Sequence, residues 1–233
     1  MPPAVQPAAT VVVLRPRGPD DDAPELYMLR RSSKSAFMPD ALVFPGGRVE
    51  DEDHGDDRED TDRAFAQAAR RECLEEANLA VEVADLRWFD TWQTPSAESP
   101  RRFIARFYLT TIAPDRGHDA IADGEETRAG RWASAAAILE QWRDGAIDLP
   151  PPTLSILMGL AAGRWREWQA AATADLGAPI LPKVVPVASA LHIVMPHDPE
   201  YFELPGDTGT VPDRVHAYPR RFVRADQRWV PQS

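Results

Sequence analysis

Residues 44–79 read FPGGRVEDEDHGDDREDTDRAFAQAARRECLEEANL. The stretch leaves an apolar strand at Phe44, turns on Pro45-Gly46-Gly47, crosses an acidic loop and enters a helix that bears carboxylates. Its chemical centre is Arg71, Glu72, Glu75 and Glu76. At helical spacing Glu75 and Glu76 follow Glu72 by three and four residues, so the three carboxylates fall within an arc of roughly 100°. Like charges crowded in this way repel, and folding gains nothing from them. A divalent cation reverses the sign of that interaction and can take all three at once. Ala66, Ala69, Cys73 and Ala77 share the adjoining helix face, where small side chains allow close packing on a sheet.

Between Glu50 and Asp62 there are nine acidic side chains and one basic one, Arg58. A charge block of this kind reads as a solvated loop. It is not an EF-hand, because Gly55 is out of register with Asp51 and Asp53. Asp60 or Thr61 is the expected N-cap of the helix, and the acidic first turn suits its dipole.

These residues resemble the Nudix box, G-x5-E-x7-R-E-U-x-E-E-x-G-U with U aliphatic, the signature of the Nudix hydrolases. Gly47 opens it, Asp53 stands where the first glutamate is expected, and Arg71 to Leu79 supplies the second half. Three departures are present: ten extra residues between Asp53 and Arg71, Cys73 for an aliphatic residue, and Asn78 for the glycine that ends the helix. Cysteine behaves as a small hydrophobe, and asparagine tolerates the left-handed conformation of such a cap. Upstream, Leu29-Arg30-Arg31-Ser32 and Ala36 to Val49 resemble the branch that includes the peroxisomal acyl-coenzyme A diphosphatases. The resemblance implies an α/β/α sandwich with a mixed sheet. It also implies Mg²⁺ or Mn²⁺ as cofactor, held by Glu72, Glu75, Glu76 and the carbonyl of Gly46.

Composition narrows the alternatives. The chain of 233 residues has a net charge of −11, which argues against binding nucleic acid or anionic membranes. An anionic substrate then needs a bound cation to approach. One cysteine excludes an intramolecular disulfide and suits a reducing compartment. Val11 to Leu14 is too short for a signal peptide's apolar core, no apolar run reaches the roughly 18 residues of a span, and the terminal Pro-Gln-Ser is not a peroxisomal address. The expected location is cytoplasmic. The five histidines show no zinc-ligand spacing.

Along the chain, residues 1–9 read as frayed, with strands expected at Thr10–Arg15, Glu25–Arg31, Ala41–Phe44, Ala80–Val83, Trp88–Trp92, Arg102–Ile112 and a strand ending at Trp132. A short helix is expected at Ser134–Arg143. After Pro150-Pro151-Pro152, Thr153 is the expected cap of one helix that carries Leu154, Leu157, Met158, Ala161, Trp165 and Trp168 at helical spacing. That face packs on the sandwich, forms a dimer face or walls an acyl chain. Leu181–Met195 is β-like but interrupted by prolines, and the tail from His197 reads as a wrapping extension. The expected organisation is a core over residues 10–149, with an insertion at about 54–63, and a C-terminal helical and extended appendage over residues 150–233 of the same domain.

The resemblance implies water attack on a diphosphate joined to another group, and its upstream part points to coenzyme A or acyl-coenzyme A as the substrate. ADP-ribose or a nucleotide sugar is the alternative substrate, and a non-catalytic nucleotide sensor the alternative class. Arg71 is expected to orient Glu75. The resemblance implies a general base that is Glu72 or another box glutamate, or Glu125 or Glu126 from a loop opposite. Arg30, Arg31 and Lys34 are candidates to meet substrate phosphates.

Overall fold

The computed structural model of the protein describes residues 4–33, 40–56, 59–96, 101–124, 127–171 and 176–232. Its elements run β1 (Val5–Arg15), β2 (Glu25–Arg31), β3 (Leu42–Val43), β4 (Gly46–Arg48), α1 (Thr61–Ala77), β5 (Arg87–Gln93), β6 (Arg102–Thr111), β7 (Thr127–Ser134), α2 (Ala135–Arg143), α3 (Pro151–Ala161), α4 (Trp165–Ala170), β8 (Lys183–Val187), β9 (Ala190–Val194), β10 (Arg221–Ala225) and β11 (Arg228–Gln232).

Strand β1 sets the architecture because its apolar run is buried on both sides. Val11 and Val13 enter one core, Val12 and Leu14 the other, as period-two alternation requires. Helix α1 covers the first face with Phe65, Ala68, Ala69, Cys73 and Ala77. On the second face Ile138, Leu154, Leu157, Trp165 and Trp168 of α2 to α4 join Leu26 and Met28. Each such aliphatic or aromatic side chain contributes about 1.5–3 kcal/mol when removed from water. The result is an α/β/α sandwich around a mixed sheet of order β3-β2-β1-β6-β5, with β4 beside β1 and β7 beside β2.

The sheet forks where the Gly-Gly turn lies. Strand β1 runs parallel to β6 from Val5 to Leu14, but its other edge changes partner. Ala8 to Thr10 pair with β4, whereas Leu14 and Arg15 pair with β2. Helix α1 is set against this fork. Asp60 caps it by accepting a hydrogen bond from the Arg63 N–H, and Asn78 ends it in the left-handed conformation at φ 52°. Among the described residues no helix is long and apolar enough to cross a membrane.

Several elements differ from the sequence reading. Residues from Val5 onward are strand, not frayed, because β6 offers a parallel partner along that length. Ala80–Val83 is not a strand: Leu79 and Val81 are buried in alternation, but the segment plugs the core beneath α1 and passes into a 3₁₀ turn at Val83–Asp85. The single helix expected after Thr153 is two, α3 and α4, broken at Gly163 with φ 78°. Pro150 stands at the N-cap and Thr153 lies buried inside α3. The C-terminal tail forms strands. β8 to β11 make an antiparallel sheet of order β11-β10-β9-β8, joined to the main sheet by a bridge between Trp92 and Ile180.

Candidate active site

The Pro-Gly-Gly turn brings the backbone of β4 into contact with both β1 and α1. A Cβ on Gly46 would lie 2.4 Å from the Ala9 carbonyl oxygen, and one on Gly47 would lie 2.2 Å from Glu72 Oε1. At Gly46 the obstacle is backbone, and at Gly47 it is the end of the Glu72 side chain. The first contact lets β4 pair with β1, and the second seats the Glu72 carboxylate against the turn. The Gly46 N–H donates to Glu76 Oε2 at 2.9 Å.

Arg71 organises the opposite side of this group. Its Nη1 donates to Glu72 Oε1 at 2.8 Å and to Glu75 Oε2 at 3.0 Å. Its Nε and Nη2 donate to the two oxygens of Asp53 at 3.2 and 2.9 Å, and Nη2 also to the Arg48 carbonyl at 2.9 Å. Asp53 is buried in a 3₁₀ turn, Asp51–His54, whose backbone it caps by accepting from the Glu50 N–H. The extra loop therefore begins with a folded turn clamped onto the helix by a bidentate ion pair. Hydrogen bonding to Asp53, with Glu72 adding to it against the opposing effect of burial, holds Arg71 protonated.

The three glutamates are not equivalent. Glu75 is exposed, Glu72 is largely covered, and Glu76 is buried at 7% exposure. Burial pushes the Glu76 carboxyl up to about 7; the Gly46 N–H and Arg31 pull it back, while Glu72 and Asp123 raise it further. Asp123 had no sequence signal beyond a polar loop; it accepts hydrogen bonds from Thr127 N and Oγ1 at 3.0 and 3.1 Å. Burial also pushes the Cys73 thiol up to about 12, so it packs as a neutral group.

Of the residues singled out in the sequence, Gly46, Arg71, Glu72, Glu75 and Glu76 come together, with Arg31 near enough for its charge to act on Glu76. Arg30 does not join them: it follows Met28 by two residues along β2 and takes that residue's face, away from α1. Lys34, Glu125 and Glu126 lie outside the described residues. Among the described residues no three Asp, Glu, His or Cys side chains form a ready-made metal cluster, since Arg71 engages Glu72 and Glu75. The donors are nonetheless all hard oxygens, and a buried carboxylate with one hydrogen bond fits a hard divalent cation.

The NUDIX domain family matches residues 4–150. A Caenorhabditis elegans protein described as putative nudix hydrolase 7 is 26% identical over 181 aligned positions, covering 61% of this chain and 57% of that protein. Acyl-coenzyme A diphosphatase NUDT19 of Xenopus laevis is 54% identical over 33 residues, 14% of this chain and 9% of that protein. The chain thus spans little more than half of the first relative and a small part of the second. The crystal structure of a NUDIX hydrolase from Alicyclobacillus acidocaldarius is similar in fold, with a TM-score of 0.56 at 24% identity, covering 69% of this chain and 92% of that one.

Proposed function

The chain belongs to the NUDIX family, and from that premise we propose that it hydrolyses the diphosphate linkage of a nucleoside diphosphate joined to a second group, with coenzyme A and its acyl thioesters as the substrate class. One observation carries the reaction: Glu76 is buried, receives a single hydrogen bond from the described residues, and lies one helical turn beyond Glu72. Such a carboxylate is costly to keep unless a cation joins it. The substrate class is supported by the short, high-identity match to the frog acyl-coenzyme A diphosphatase.

In this reading Glu72, Glu75, Glu76 and the Gly46 carbonyl would hold Mg²⁺ or Mn²⁺, and the ion would supply neutralisation of charge on the phosphate oxygens. Arg71 orients Glu72 and Glu75 through one nitrogen, and Asp53 fixes Arg71 in turn. Glu72, or Glu125 or Glu126, accepts a proton from water as its oxygen bonds to phosphorus. The bridging P–O bond breaks, its electron pair stays with the leaving phosphate, and two phosphomonoesters depart. Arg31 and Lys34 attract the substrate's phosphates toward a chain of net charge −11. Residues 10–149 act as the hydrolase core, and 150–233 belong to the same domain, a reading supported by the hydrogen bonds of Arg214 and Tyr218 to Asp90 in β5.

The test is phosphate-product release from coenzyme A, acyl-coenzyme A, ADP-ribose and nucleotide sugars with Mg²⁺ and Mn²⁺, alongside Glu75→Gln. Metal-dependent turnover of the coenzyme A class is expected, lowered on the order of 10²-fold in the variant. Silence across the panel with calorimetric binding intact would favour a sensor.

A further inference from the structure

Strand β7 places Arg131 opposite Met28 of β2, and Arg30 lies opposite Ala129. Arg30 and Arg131 are therefore diagonal neighbours on one face, a separation of about 7–8 Å that long side chains span easily. That is the face covered by α2 to α4. Neither arginine makes an ion pair with a described residue, although Arg15, Arg71, Arg102, Arg106, Arg214 and Arg221 all do. Arg131 is partly buried, and its Nε and Nη2 are shielded from water without a hydrogen-bond partner. Those two atoms form the edge through which a guanidinium donates two parallel hydrogen bonds to an oxyanion, the edge Arg71 uses to grip Asp53. Burial and the charge of Arg30 both weaken the protonation of Arg131. In a chain with 37 acidic and 26 basic side chains, two guanidiniums held together without a carboxylate among the described residues invert the logic of the glutamate group.

We propose that Arg30 and Arg131 form an anion subsite that takes a phosphomonoester carried by the substrate away from the diphosphate that is cleaved. The pair sits one residue along β2 from Arg31, whose charge reaches Glu76, but on the other face of the strand. A ligand at the fork of the sheet can meet both. This inference rests on the diphosphatase reading and deepens it. Coenzyme A carries a phosphate on its ribose 3′ oxygen, whereas ADP-ribose and nucleotide sugars carry none there, so the pair selects between the two substrate classes.

The experiment is calorimetric titration, with Mg²⁺ present, of adenosine 3′,5′-bisphosphate against AMP. Neither contains a diphosphate, so binding is read without turnover. The wild type is expected to bind the bisphosphate at least about tenfold more tightly, a difference of 1.4 kcal/mol. Arg131→Gln is expected to bind both nucleotides equally, and Arg131→Lys, which keeps the charge but not the fork, to recover only part of the preference. Arg30→Gln provides a second reading should Arg131→Gln not fold. Equal binding by the wild type, or a preference that survives in both glutamine variants, overturns the subsite. Displacement of the 3′ preference by inorganic phosphate at equal affinity overturns the substrate assignment in favour of a free-phosphate site. If no diphosphate in the panel is hydrolysed, the diphosphatase reading fails, while the binding preference still stands or falls by itself.

Discussion

Glu76 on α1 and Asp90 on β5 are both carboxylates taken out of water, at 7% and 0% exposure, yet their surroundings are opposites. Asp90 accepts hydrogen bonds from Thr91 N and Arg214 Nε on one oxygen, and from Trp92 Nε1 and Tyr218 Oη on the other, all at 2.7–2.8 Å. From the described residues Glu76 receives one, from Gly46. A buried charge that is fully hydrogen-bonded and paired holds a structure together, whereas one left short of partners is kept at a cost. Asp90 is one point where the C-terminal segment is anchored to the main sheet, since Arg214 and Tyr218 of that segment both donate to it. The same side-chain chemistry thus serves attachment in one region and, in the function proposed above, cation binding in the other.

Asp90→Ala tests this contrast hardest. Removing one member of a buried ion pair costs about 3–5 kcal/mol, and at roughly 2–4 °C per kcal/mol for a chain of this size, Tm should fall by about 6–20 °C. Turnover per folded molecule should hold, as read by calorimetry and an active-fraction assay together. Glu76→Gln should do the reverse. Turnover falls on the order of 10²–10³-fold, while the metal-free protein at pH 8 becomes more stable by about 2 kcal/mol, because a buried charge has been removed. A Glu76→Gln protein that is less stable in chelator would collapse the distinction between the two carboxylates.

The two regions also differed in how far the sequence revealed them. The glutamates, Arg71 and the small face of α1 follow from spacing within one helix, where three- and four-residue intervals decide which side chains meet. The Asp53 clamp was half visible, because an acidic loop gives no sign that its first turn folds back on Arg71. Asp90 was invisible: within Arg87–Gln93 it reads as one polar residue in a strand, and two of its partners, Arg214 and Tyr218, lie over 120 residues away. The C-terminal sheet was masked by proline. Pro186 and Pro231 occupy β8 and β11, the two edge strands, where a missing N–H is tolerated. Arg131 could not be paired with Arg30 without the register of β2 and β7.

The glycine turn offers a finer test at the box end. Gly46→Ala would force a Cβ against the Ala9 carbonyl, which belongs to a paired strand and cannot yield. Gly47→Ala meets the Glu72 carboxylate, which can swing away. Overpacking of this kind costs about 1–3 kcal/mol. Gly46→Ala should stand at the upper end in Tm with β4 pairing disturbed. Gly47→Ala should lose less stability and more Mg²⁺ affinity, as a metal titration would show.

The smallest effect separates the regions by the sign of their pH dependence. Burial raises Glu76 from its unfolded value of about 4.3 to about 7, so in chelator the folded state binds its proton first. Its contribution to stability is fully present below pH 4.3 and is lost as pH rises through 7. His197, between β9 and β10, goes the other way. Burial, then the neighbouring His216, lowers it below its unfolded value of about 6.5, with Arg220 adding to the effect and the Tyr218 carbonyl and Asp198 opposing it. Its contribution is present above pH 6.5 and is lost as pH falls toward its lower folded value. In the metal-free protein, Glu76→Gln should remove the acid-side gain, and His197→Gln the acid-side loss. Tm measured from pH 8 to pH 5 on the two single variants should therefore diverge from the wild type in opposite directions. Curves that shift together would mean that the box and the C-terminal segment do not titrate as separate regions.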